Sequence, residues 1–145
     1  MLGTRAYTEQ TIMTEVLEKI LRTIYVYTTN TYGLKTWVKV GETSRNADKR
    51  ISEQDGTSMP EPLLRVKNSD GNVLEFKTHL TDEEIRKELF KLGYYEVRQD
   101  KRREWVGGFD NPLENGDEIE LAINKIISKS KINSRKEYKP YFYKK

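Results

Sequence analysis

The chain contains no cysteine and a single histidine, His79. Without thiols there is no disulfide, no thiolate nucleophile and no cysteine-bound zinc. One imidazole cannot build a multi-histidine metal cluster or a two-histidine acid–base mechanism. The lack of cysteine fits a reducing compartment, and a cytoplasmic location is expected. No apolar run approaches the length of a bilayer-spanning helix, and the first residues lack an apolar signal core, so no membrane partner is expected. Glycine-rich nucleotide loops are missing too: neither Gly-x-x-x-x-Gly-Lys-Ser/Thr nor Gly-x-Gly-x-x-Gly occurs. Any enzyme made from this chain must work with carboxylates, lysine, arginine, tyrosine and hydroxyl groups.

What is present is polar but equipped with a core. Hydrophobic and charged residues are nearly balanced, at 35% and 34%, yet nine tyrosines, four phenylalanines and two tryptophans argue against general disorder. The 145 residues suffice for one modest domain. The net charge of +3 is small but unevenly placed. The run RQDKRRE carries Arg98, Lys101, Arg102 and Arg103. From Ser128 onward, seven basic residues, Arg135 and Lys136 among them, face one acid, Glu137, and alternate with Tyr138, Tyr141, Phe142 and Tyr143. Cations mixed with aromatics suit a polyanion whose bases stack; a solubilising tail is the other reading of the same residues.

Periodicity organises the chain as an α+β protein. Residues 9–22 place Ile12, Val16 and Ile20 four apart, an amphipathic helix. IYVYTT (24–29) and TWVKVG (36–41) read as two antiparallel strands joined by a connection longer than a tight turn. A helix is expected from about Asn46 to Gln54, with Ala47 and Ile51 inward. LLRVKN and NVLEFK flank Ser69-Asp70-Gly71, a hairpin signal. Residues 81–93 form a helix with a Thr81/Glu84 capping box, an Ile85–Leu89–Leu92 stripe and Gly93 as its stop. Short strands are expected at 94–98 and 103–108, and a last amphipathic helix at 117–128. Antiparallel pairs with packing helices imply a small mixed or antiparallel sheet flanked by helices. The organisation is an N-terminal helix (1–22), a central domain (23–128) and a basic aromatic tail or linker (129–145). The ending Lys139-Pro140-Tyr141 through Lys144-Lys145 suggests a piece of a larger protein.

Alternation sharpens the first strand pair. Ile24 and Val26 share one face and Tyr25 and Tyr27 the other, while Val38 and Val40 lie opposite Trp37, Lys39 and Gly41. If the aliphatic face packs under helices, Tyr25, Tyr27 and Lys39 emerge together: one ammonium among phenols. A snorkelling lysine on an exposed sheet face is the alternative. Gly41 leaves room for a close approach. Arg50, beside the inward Ile51, lies along the helix–sheet boundary, where its planar fork suits a phosphate.

These residues resemble the GIY-YIG endonuclease superfamily, in the branch found in phage proteins and beside helicase-like regions of restriction systems. Thr23-Ile24-Tyr25 is similar to the family's first signature, with Thr23 where the family has glycine. Lys39-Val40-Gly41 is similar to the other signature, continuing Glu42-Thr43 and reaching Arg50. Downstream, Asp82-Glu83-Glu84-Ile85-Arg86 and Glu104-Trp105-Val106 match the branch's acid-and-histidine helix and its Glu-Trp-Phe, with Arg86 in the histidine's place. The resemblance spans roughly residues 23–127. It implies a small α+β nuclease fold that cleaves DNA with one divalent metal, Mg2+ or Mn2+. It assigns Tyr25, with Tyr27 beside it, to orienting the nucleophile, Lys39 to the tyrosine position of the downstream signature, Arg50 to the phosphate and Gly41 to close packing. For Lys39, holding the phosphate is placed ahead of acting as base. Position relative to Ile85 puts Asp82 and Glu88 at the border of the core stripe, Glu83 outward and Glu84 in the capping box. Asp82 is therefore the first choice for the metal, Glu104 the second and Glu88 the third. Asp82 also has a purely structural reading, as a first-turn acid and partner of Arg86.

The sequence thus leads to a metal-dependent DNA endonuclease domain from a phage, mobile-element or restriction-type protein, with a C-terminal helicase-like region or partner in view. Arg45, Arg98, Lys101, Arg102, Arg103, Arg135 and Lys136 are the expected nucleic-acid contacts. A catalytically inactive nucleic-acid-binding module on the same scaffold is the alternative.

Overall fold

A computed structural model describes residues 21–44, 46–54, 61–98 and 104–143 of the chain, with side chains as far as residue 130. The elements run β1 (Arg22–Thr28), α1 (Asn30–Leu34), β2 (Trp37–Thr43), α2 (Ala47–Gln54), β3 (Leu64–Arg65), β4 (Glu75–Thr78), α3 (Asp82–Lys91), β5 (Tyr95–Glu96), β6 (Trp105–Gly107) and α4 (Asp117–Tyr143). The fold is α+β, as expected, with a fully antiparallel six-stranded sheet in the order β3-β1-β2-β6-β5 and β4 also on β1. The expected helix over 9–22 lies almost wholly outside the described residues.

The first strand pair forms as its alternation requires, with Tyr25 opposite Gly41 and Tyr27 opposite Lys39. Its connection contains the short helix α1, capped by Thr29, whose hydroxyl accepts from the Tyr32 amide at 3.1 Å. The expected 64–78 hairpin takes a different form. β3 and β4 both pair antiparallel with β1, and residues 66–74 bulge out between them, closed by a Lys67–Val73 bridge. One interrupted strand thus lines the edge of β1. The Ser69-Asp70-Gly71 turn sits at the tip of the excursion, where Gly71 adopts φ 84°.

Helix α3 starts at the Thr81 cap, whose hydroxyl accepts from the Glu84 amide at 3.1 Å. The Asp82 amide is taken by Glu42 of β2 at 3.1 Å, so a neighbouring strand helps to cap this helix. Gly93, at φ 111°, follows its C-cap. Helix α4 extends well past the expected 128. Nothing between Ser128 and Lys139 is a glycine or proline, so no residue there stops it.

Both faces of the sheet are covered. The aliphatic face (Ile24, Val26, Val38, Val40, Val106) packs against Ile85 and Leu89 of α3 and Ile119 and Ile123 of α4. The aromatic face (Tyr25, Tyr27, Trp105) packs against Ala47 and Ile51 of α2. Among the described residues no helix is long and apolar enough to cross a membrane.

Candidate active site

The aromatic face gathers the chemistry. Tyr25 and Tyr27, two apart on β1, point the same way and stack with ring centroids 5.8 Å apart. Opposite Tyr25, Gly41 presents bare backbone; a Cβ there would stand 2.5 Å from the Tyr25 ring, so the phenol lies flat on β2 only because the residue is glycine. Lys39 is 5% exposed despite its charge. Its Nζ reaches the Glu104 carboxylate at 2.8 Å and Gln54 Oε1 at 3.4 Å, and lies 5.2 Å from the centre of the Tyr27 ring. A buried ammonium needs such compensation, and it has a carboxylate, an amide oxygen and a π face.

Helix α2 completes the group. Arg50 and Gln54 lie one turn apart and flank Ile51, which faces the sheet. The Tyr27 hydroxyl donates to Gln54 Oε1 at 2.8 Å. Burial pushes the Tyr25 phenol above its ordinary range, partly offset by the Lys39 charge and by hydrogen bonds with Gln54 and Arg50. At neutral pH Tyr25 is therefore a neutral hydroxyl, able to orient a water or a phosphate oxygen. The Arg50 side chain is 41% exposed and meets Glu53 at 3.7 Å, a rim contact that leaves its fork reachable from solvent.

The three acids proposed for a metal part company. Glu104, 27% exposed, is the one at Lys39. Asp82 lies on α3, across the sheet, where it pairs with Arg86 at 3.0 Å and accepts from the Glu83 amide. Arg86 is itself buried and donates to the Val40 carbonyl at 2.8 Å, so Asp82 and Arg86 fasten α3 to β2. Glu88 pairs with Lys91 at 2.7 Å on the same helix, and that contact lowers the pKa of its carboxyl. Position relative to Ile85 could rank the acids of α3 but not tell which sheet face the helix covers. Among the described residues no three His, Asp or Glu side chains converge. A cation here would thus be held by the single carboxylate of Glu104, a donor set that fits Mg2+ when water and phosphate complete the octahedron.

Gln54 is the residue that sequence reasoning passed over. It bridges Tyr27 and Lys39, and its four-residue spacing from Arg50 was the available signal. Arg65 is another such residue. Nearly buried on β3 opposite Tyr27, it joins Asp48 of α2 at 2.5 Å and Glu75 of β4 at 3.0 Å, tying the Arg50 helix to the sheet edge. Of the expected nucleic-acid contacts, Arg98 is exposed just after β5. Arg45, Lys101, Arg102 and Arg103 lie outside the described residues, as do the side chains of Arg135 and Lys136 on α4.

The fold and this cluster are those of a small α+β domain with a charged, aromatic-lined site on one sheet face. Residues 22–126 match the model of the T5orf172 domain family, and the chain belongs to that family, whose members are phage-associated, nuclease-like or DNA-binding modules. No curated protein and no solved structure matches the chain.

Proposed function

We propose that this domain is a metal-dependent DNA endonuclease of GIY-YIG type. The observation that carries this reading is the meeting of Tyr25, Tyr27, Lys39, Arg50 and Glu104 on one sheet face, drawn from β1, β2, α2 and the residue just before β6. Packing alone does not require a buried lysine, a carboxylate and a reachable arginine beside two phenols.

In the proposed reaction a water attacks phosphorus and loses a proton, the bond to the leaving sugar oxygen breaks, and that oxygen takes up a proton. Arg50, at the rim, binds the scissile phosphate and neutralises charge added in the transition state. Lys39 holds the Glu104 carboxylate in place and adds positive charge from beneath. The neutral hydroxyls of Tyr25 and Tyr27 orient the nucleophile. Glu104 would hold Mg2+ or Mn2+, which when bound supplies charge neutralisation and a more acidic water. A helicase-like region, fused or separate, is the proposed partner, in line with the family resemblance.

The test is nicking of supercoiled plasmid in Mg2+, Mn2+ or EDTA by the wild type and by Arg50→Ala. Cutting should need the metal and fall about 100-fold or more in the variant, with the circular dichroism spectrum unchanged. Equal cutting by the two proteins would remove Arg50 from the site.

The other reading is a non-catalytic DNA-binding module, favoured by the closure of the Lys39–Glu104 pair and by Thr23 and Arg86 at two signature positions. It predicts salt-dependent DNA binding with no metal-dependent cutting.

A further inference from the structure

The same sheet face continues beyond the cluster into aromatic side chains for which the cleavage chemistry has no use. Trp37 precedes Lys39 by two residues on β2 and is only partly buried. Across the sheet it is level with Gly107 of β6 and Tyr95 of β5. Gly107 is bare for a reason: a Cβ there would stand 2.3 Å from the Tyr95 ring. Tyr95 therefore lies over the backbone toward Trp37, and its hydroxyl accepts from the Trp37 indole N–H at 3.2 Å. The indole's polar atom is satisfied within the protein, while Tyr95 remains 49% exposed.

The backbone is strained to build this ledge. Thr36, β-branched, has φ 70°, a left-handed conformation that such residues avoid. It is held by the amides of Gly108, which donates to the Thr36 carbonyl and hydroxyl at 3.1 Å, and Phe109, which donates to the carbonyl at 3.4 Å. Above Trp37 the exposed Lys35 places its ammonium 4.9 Å from the ring centre, so that side of the ring is covered by an exposed side chain and not by the core. Tyr32 packs at 5.2 Å.

We propose that Trp37 and Tyr95, with Lys35, form a stacking site for an unpaired nucleobase of single-stranded DNA whose backbone runs to Arg50. The proposal rests on reading the neighbouring cluster as a phosphodiester site. Arg50 meets Tyr25 opposite Gly41, four strand positions or about 13 Å from Trp37, so a base on Trp37 belongs to a nucleotide about two from a phosphate at Arg50. Charge complementarity supports this occupant: when a base takes its place over the indole, the Lys35 ammonium moves to the flanking phosphate. Stacking needs an open π face on each partner, and a base inside a duplex has both faces covered by its stacked neighbours. The substrate class is therefore DNA with an unpaired segment beside the cut, such as a flap, gap or junction.

The test is an abasic scan. Fluorescence anisotropy in EDTA would follow binding of a labelled single-stranded oligothymidylate, of the same strand with one abasic position moved along it, and of a duplex of equal length. The expected result is preference for the single strand and an affinity loss of about 10-fold at one or two abasic positions. In Trp37→Leu, and in Lys35→Ala/Tyr95→Leu if Trp37→Leu fails to fold, the abasic positions should lose most of their effect. A flat scan in the wild type, or tighter binding to duplex, overturns the ledge. Plasmid nicking with a flat scan would leave the nuclease standing and remove the ledge, whereas a position-dependent scan without nicking would do the reverse.

Discussion

At the scale of the residue, two positions decide how the aromatic face is built. Gly41 makes way for Tyr25, which is 2% exposed and lies with the far end of its ring 2.5 Å from where a Cβ would stand. Gly41→Ala should cost about 1–3 kcal/mol by overpacking, read as a lower urea midpoint at unchanged slope. Lys39 is the opposite case, a charge that the fold tolerates because it is compensated. Replacing it with Met removes the buried ion, while the partly exposed Glu104 can turn to water. Lys39→Met should therefore unfold within about 1 kcal/mol of the wild type and lose nicking altogether; a stable, fully active variant would remove Lys39 from the chemistry. The shared face of Tyr25, Tyr27 and Lys39 was legible in the sequence because strand side chains alternate strictly. The choice of acid was not. Asp82 and Glu104 differ by which side of the sheet their segments pass, and that depends on how α3 and β6 pack, contacts distant along the chain.

At the scale of the element, helices and strands are fastened by polar contacts between segments far apart in sequence. Tyr94, between α3 and β5, stacks on Phe109 with centroids 4.1 Å apart and donates to Glu118 of α4 at 2.8 Å. Burial and the Glu118 carboxylate push its pKa up to about 12. The neutral phenol is thus favoured in the folded state, so this contact stabilises fully below about pH 10. That stability is lost as the pH rises towards 12. Urea denaturation at pH 9 and pH 11 should show a larger fall for the wild type than for Tyr94→Phe; equal falls would show that the ionisation of Tyr94 is not coupled to folding. Helix ends were the most legible elements, since Thr81 and Gly93 have local chemistry that acts wherever the helix lies. The interrupted strand of β3 and β4 was less so. A turn signal is the same in a free hairpin and in a bulge on the edge of β1, and only pairing with a distant strand separates the two.

At the scale of the whole molecule, the sheet divides the work. Its aliphatic face, under α3 and α4, holds most of the core. Among the described residues the aromatic face carries α2 and Tyr32 of α1, and there Lys39, Arg50, Gln54 and Glu104 meet. The Asp82–Arg86 pair on the aliphatic side fastens a helix, and the Lys39–Glu104 pair on the aromatic side lies beside Tyr27 and Gln54, where the proposed site is placed. This division is tested most directly by exchanging one acid at a time. Plasmid nicking in Mg2+ should fall about 100-fold or more in Glu104→Gln and stay within about threefold of wild type in Asp82→Asn, with both variants folded. Loss of nicking in Asp82→Asn with cutting retained in Glu104→Gln would place the working acid on the other face of the sheet and refute the site described above.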